Sequence, residues 1–119
     1  MFNWNGEKFP FCVLDADMAK KFDDAETKMW DRVREYEAKH AENGRLTTEG
    51  IAEESDIISE FFDDVFGKGA AKKMFMKEHD LSERVKAVKK LYTLKSNQLS
   101  EHEKNVNIIS DLAFRKGDK

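Results

Sequence analysis

The sequence predicts a mainly α-helical fold with a short β-hairpin at its N-terminus. Two patterns point to it: an Asn5-Gly6 dipeptide between two aromatic-rich runs, then nonpolar residues recurring at spacings of three or four. One proline and six glycines in 119 residues leave too little punctuation for a second domain. The expected plan is a hairpin at about residues 2–13 and a bundle of four to five helices at about 15–43, 47–66, 70–77, 81–97 and 98–114. These make a single domain over 1–114, with a frayed tail at 115–119.

In the hairpin, Asn-Gly suits a two-residue turn because both central positions need φ > 0. Such a loop pairs Trp4 with Glu7 and Phe2 with Phe9. Alternation then sets Phe2, Trp4, Phe9, Phe11 and Val13 on one face. Pro10 cannot donate to a ladder, so the strand is an edge there. A lone hairpin is marginal in water, so its aromatic face is expected to pack on helices. Cys12, the only cysteine, reads as a small buried or half-buried thiol, and no intramolecular disulfide can form.

Asp15 is a good N-cap for the first helix, whose stripe is Met18, Phe22, Ala25, Met29, Val33 and Tyr36. Trp30 lies off that stripe. The helix should stop near Asn43-Gly44, where glycine fits a left-handed cap. The second helix starts at Thr47 or Thr48. Its stripe is Ile51, Ser55, Ile58, Phe62 and Val65, widened by Phe61 and Phe66, and Gly67 ends it. After Gly67-Lys68-Gly69 comes a short helix carrying Met74 and Phe75. Asp80 then opens a further helix, with Glu83 three residues on as in a capping box. Leu81, Val85, Val88, Leu91 and Tyr92 form its apolar face. The pattern weakens at Lys95-Ser96-Asn97 and resumes as Leu99, Val106, Ile109 and Leu112. That is either one long helix or two with a bend near Ser96 to Ser100.

Charge narrows the function classes. The 21 basic and 24 acidic residues are mixed and sum to -3. That balance supplies neither the clustered basic excess of a nucleic-acid binder nor a polybasic membrane signature. Lys72-Lys73 with Lys86, Lys89 and Lys90 could form a basic face, but acids dilute it. No apolar run reaches the length of a membrane span, and no signal pattern opens the chain, so a cytosolic protein is expected.

No catalytic, cofactor-binding or metal-binding residue can be named, so the chain is read as no enzyme. His40, His79 and His102 lack metal-pair spacing. His102-Glu103 begins like a zinc-protease motif, but position 106 is Val. The acidic pairs Asp23-Asp24, Glu53-Glu54 and Asp63-Asp64 point apart on a helix. Gly67-Lys68-Gly69 lacks the longer frame of a phosphate loop. Two nonpolar groups remain as partner-binding candidates. One is Phe61, Phe62, Phe66 and Phe75: a helix cannot easily hide both Phe61 and Phe62 against one neighbour. The other is Leu99, Val106, Ile109 and Leu112, a thin apolar line after a core that is already complete.

The opening Phe2-Asn3-Trp4-Asn5-Gly6-Glu7-Lys8-Phe9-Pro10-Phe11, the following Asp15-Ala16-Asp17 and the stretch from Phe61 to Phe75, with its Phe-Phe-Asp-x-x-Phe-Gly core, carry a resemblance. Over roughly residues 1–95 the chain resembles short proteins of the tail-gene region in long-tailed phages and prophages of Gram-positive hosts. These are similar in plan to siphophage tail assembly chaperones. The resemblance implies a non-enzymatic factor in the host cell cytoplasm. Such a factor binds the tape measure protein, keeps its apolar helices soluble during tail assembly, and tends to self-associate. The alternative is a phage-encoded inhibitor or regulator of a host anti-phage system, acting by protein–protein binding.

Overall fold

A computed structural model describes residues 1–40 and 47–117. Two strands, β1 (Phe2–Trp4) and β2 (Glu7–Phe9), form an antiparallel hairpin, and four helices follow: α1 (Ala16–His40), α2 (Thr48–Phe66), α3 (Ala70–Met74) and α4 (Leu81–Gly117). The fold is mainly helical with an N-terminal hairpin, as the sequence predicts. Among the described residues no helix is long and apolar enough to cross a membrane.

The register is Phe2 with Phe9, Asn3 with Lys8 and Trp4 with Glu7. Asn5 (φ 48°) and Gly6 (φ 82°) both sit in the left-handed region, the geometry that follows strand twist in a two-residue turn. Strand pairing ends at Phe9, before Pro10, yet Phe11 is buried and Val13 still packs on the core. Cys12 is exposed, which corrects the expectation of a buried thiol. Alternation turns its neighbours Phe11 and Val13 inward, so the residue between them points out.

Helix starts are fixed by side chains as expected. Asp15 Oδ2 accepts from the Met18 amide, Thr47 Oγ1 from Gly50 and Asp80 Oδ1 from Glu83, at 3.2, 3.0 and 3.1 Å. Gly50 is buried against Tyr36. A Cβ there would lie 3.5 Å from the Tyr36 ring and 3.3 Å from Thr47 Oγ1, so glycine lets α1 and α2 approach closely at this end. Gly67 (φ 109°) ends α2 and donates to Asp63 O. Asp63 Oδ1 also accepts from the Ala71 amide, tying the short α3 to the end of α2. The expected stop of α1 at Asn43-Gly44 lies outside the described residues.

The core is organised around α2. This helix packs against α1, α3, α4 and, through Phe62 and Phe66, the hairpin, so one wide face buries both Ile57 and Ile58 and both Phe61 and Phe62. This corrects the placing of Phe61, Phe62 and Phe75 at a partner surface. The premise of one neighbour fails for a helix whose buried face meets several elements. Phe62 is 0% exposed and Phe61 1%, and Phe66, partly buried, stacks on Phe2 and Phe9. α4 is one continuous helix through Ser96 to Ser100. Its buried residues are Arg84, Ala87, Val88 and Leu91, while Val85, expected inside, is exposed. Val88 and Leu91 of the expected stripe are buried and Leu81 and Tyr92 pack on the core; Arg84 and Ala87 line the face where Val85 was expected.

Replacing Phe62 by Ala should cost about 3–5 kcal/mol of folding stability, measured by chemical denaturation. Ile109→Ala on the exposed half of α4 should change the stability of the single chain by no more than about 0.5 kcal/mol.

Candidate functional site

The second group of candidates lies on the outer half of α4. Every residue from Leu99 to Phe114 is exposed. At 1.5 Å per residue the 37-residue helix is about 55 Å long, and this accounts for a molecule 68 Å in its longest dimension. Leu99, Val106, Ile109 and Leu112 are between 44% and 65% exposed; Ile108 and Phe114 add to them. Phe61, Phe62, Phe66 and Phe75 lie in or against the body instead, so the structure separates the two candidate groups.

Four contacts set where the body ends along α4. Lys95 Nζ lies 4.7 Å from the centre of the Phe22 ring. Tyr92 packs edge-on against Phe22 and accepts a 2.9 Å hydrogen bond from Trp30 Nε1, which gives Trp30, off the α1 stripe, its place. Burial, then the Glu26 carboxylate, push the Tyr92 hydroxyl up to about 12. The last tie is Gln98. Its Oε1 accepts from the Val13 amide and its Nε2 donates to Phe11 O, both at 2.8 Å. One side chain thus satisfies two backbone groups of the strap that follows β2, where pairing has ceased.

At the other end of α4, Arg84 is 4% exposed. Its guanidinium lies over the Phe75 ring at 4.4 Å. It donates to the carbonyls of Lys77, Glu78 and Asp80 and, through Nε, to Ser59 Oγ. Burial lowers its pKa, opposed by the carboxylates of Glu83, Asp56, Asp80 and Glu78. With its donors matched by carbonyls and a hydroxyl, Arg84 pins the α3–α4 connection and serves the fold. An open trough lined by Ile51, Leu81 and Val85 lies nearby, bordered by Lys77, His79, Asp80 and Lys86.

Among the described residues the three histidines lie apart from one another. His40 stacks on Tyr36, His79 pairs with Asp56 at 3.1 Å, and His102 is exposed on the outer half of α4. Among the described residues no group of three or more His, Cys, Asp or Glu is placed to hold a metal ion. Lys28 and Arg32 of α1 share Glu60 of α2, and Lys28 also pairs with Asp64. Sequence reasoning missed Glu54, read as a solvated acid. It is 6% exposed on α2, and its Oε1 has no partner. Burial, then a hydrogen bond shared with the Glu37 carboxyl of α1, raise its pKa from 4.5 to about 7.

A carboxyl raised in this way keeps its proton on folding between pH 4.5 and about 7. The stability that this contributes is fully present below pH 4.5 and is lost as the pH rises through about 7. Denaturation of the wild type from pH 4.5 to 8 should therefore show a fall of up to about 3 kcal/mol that Glu54→Gln lacks.

A family model described as a family of unknown function (DUF6673) matches residues 5–113. No curated protein and no solved structure matches the chain.

Proposed function

We propose that this chain, which belongs to the family of unknown function DUF6673, is a non-catalytic binding protein whose outer α4 half holds a helical, nonpolar segment of another protein. The observation that carries this reading is the state of residues 99–114: a continuous helix with a nonpolar stripe and no cover from its own chain. A helix of about 16 residues standing free is marginal in water, and one face of this one is nonpolar, so a second helix laid along it removes both costs. The body closes without it, since Phe2, Phe22, Phe61, Phe62 and Leu91 are sealed inside.

The resemblance to tail assembly chaperones names the partner, the tape measure protein, whose long apolar helices need cover until the tail is assembled. The site then comprises Leu99, Val106, Ile109 and Leu112, with Ile108 and Phe114 beside them. The hairpin and aromatic cluster act as the platform that holds it out.

A tagged chain should retain the tape measure protein encoded in the same tail-gene cluster at micromolar concentration. Ile109→Glu should lower that retention about tenfold or more while leaving the circular dichroism spectrum and melting temperature unchanged. Absence of retention by the wild type, or equal retention by Ile109→Glu, would count against the reading.

A further inference from the structure

A second open nonpolar surface is the trough at the start of α4, with a volume of about 740 Å³. Leu81 and Val85, one turn apart on α4, and Ile51 from the start of α2 form its floor. Val85 is 52% exposed, although the core residues Ala87 and Val88 follow it closely. Lys77, His79 and Asp80 of the connection before α4 and Lys86 of α4 itself make the rim.

The polar groups left free at this rim are donors. Among the described residues neither Lys77 nor Lys86 has an ion-pair partner. The acids close by are already engaged. Asp80 Oδ1 accepts from the Glu83 amide as the cap of α4, and Asp56 holds His79 at 3.1 Å. Glu83 Oε1 accepts from Asn5 of the hairpin at 3.4 Å. Glu49 and Glu53, which flank Ile51 in sequence, stand near the Tyr36 hydroxyl of α1 instead. The first turn of α4 adds the amides of Leu81 and Ser82, which have no partner within the helix.

This chemistry selects the occupant. An open trough does not enclose a small molecule, whose sites cover most of its surface. The floor is aliphatic, with no ring on which a nucleic-acid base could stack. A chain segment laid across it gains twice: nonpolar side chains cover Ile51, Leu81 and Val85, and carboxylates beside them meet Lys77 and Lys86. We propose that the trough docks a short segment of another protein in which a nonpolar run stands between acidic residues. Val85 is about 21 Å along α4 from Leu99, so this surface is separate from the outer stripe and does not depend on the reading of that stripe.

The test uses the full chain and labelled peptides of about ten residues with a central Leu-Ile-Leu run. One peptide flanks the run with Asp and Glu, a second with Lys. Fluorescence anisotropy should give the acidic peptide a Kd of about 100 μM or lower, and the Lys peptide one at least about tenfold higher. Val85→Glu should weaken the acidic peptide about fivefold or more, with an unchanged circular dichroism spectrum. Lys77→Glu combined with Lys86→Glu should reverse the preference, so that the Lys peptide binds the more tightly of the two. Amide NMR shifts on adding the acidic peptide should centre on Ile51, Lys77, Leu81, Val85 and Lys86. Ile109→Glu should leave all of this unchanged. No binding of the acidic peptide at about 1 mM overturns the proposal, as does equal binding of the Lys peptide. Shifts centred on residues 99–114, or loss of binding in Ile109→Glu, overturn it too, and leave the reading of the outer stripe standing.

Discussion

The ring of Phe62 lies between 5.1 and 6.2 Å from those of Phe2, Phe61, Phe66 and Phe75. Through these contacts it joins the hairpin, the buried face of α2 and the turn after α3, and Phe61 passes the connection on to Phe22 of α1. Edge-on and offset contacts of this kind add to the area that the rings remove from water. The hairpin has only three residues per strand and would not persist alone. It is held because Phe2 and Phe9 are built into this aromatic layer. A body of fewer than 100 residues reaches closure by concentrating its large rings at one point and packing several elements on the wide buried face of α2.

Much of this was legible beforehand. The Asn5-Gly6 turn, its register and three N-caps depend on local chemistry, which neighbouring residues suffice to reveal. The stripe of α1 was legible because that helix covers the core from one side, so its periodicity has a single phase. The stripe of α2 was legible as well, with Ser55, Ile58, Phe62 and Val65 all buried; the number of elements that meet it was not, so Phe61 looked surplus. In the inner half of α4 the places of Leu81, Val88, Leu91 and Tyr92 were legible; Arg84 was not, because its burial depends on carbonyls from Lys77, Glu78 and Asp80 that only the folded connection brings together. Glu54 was invisible for the same reason. Nothing in its immediate sequence reveals that Glu37 stands opposite.

The candidate site was legible in a different sense. Leu99, Val106, Ile109 and Leu112 stood out because a core of this size appeared complete before them, and the body does close at Gln98. What no reading of the stripe alone could supply is its direction. Val106 and Ile109 share the helical phase of Val88 and Leu91, so they continue the line along which α4 meets the body.

The two hydrogen bonds of Gln98 mark where packing constraint stops. Upstream, the large nonpolar side chains of the core each answer to several neighbours at once. Downstream, from Leu99 to Phe114, every side chain is exposed, and substitutions answer to helix propensity alone within the chain. The chain is therefore divisible at that glutamine: an appendage from another sequence could be grafted after it without redesigning its foundation.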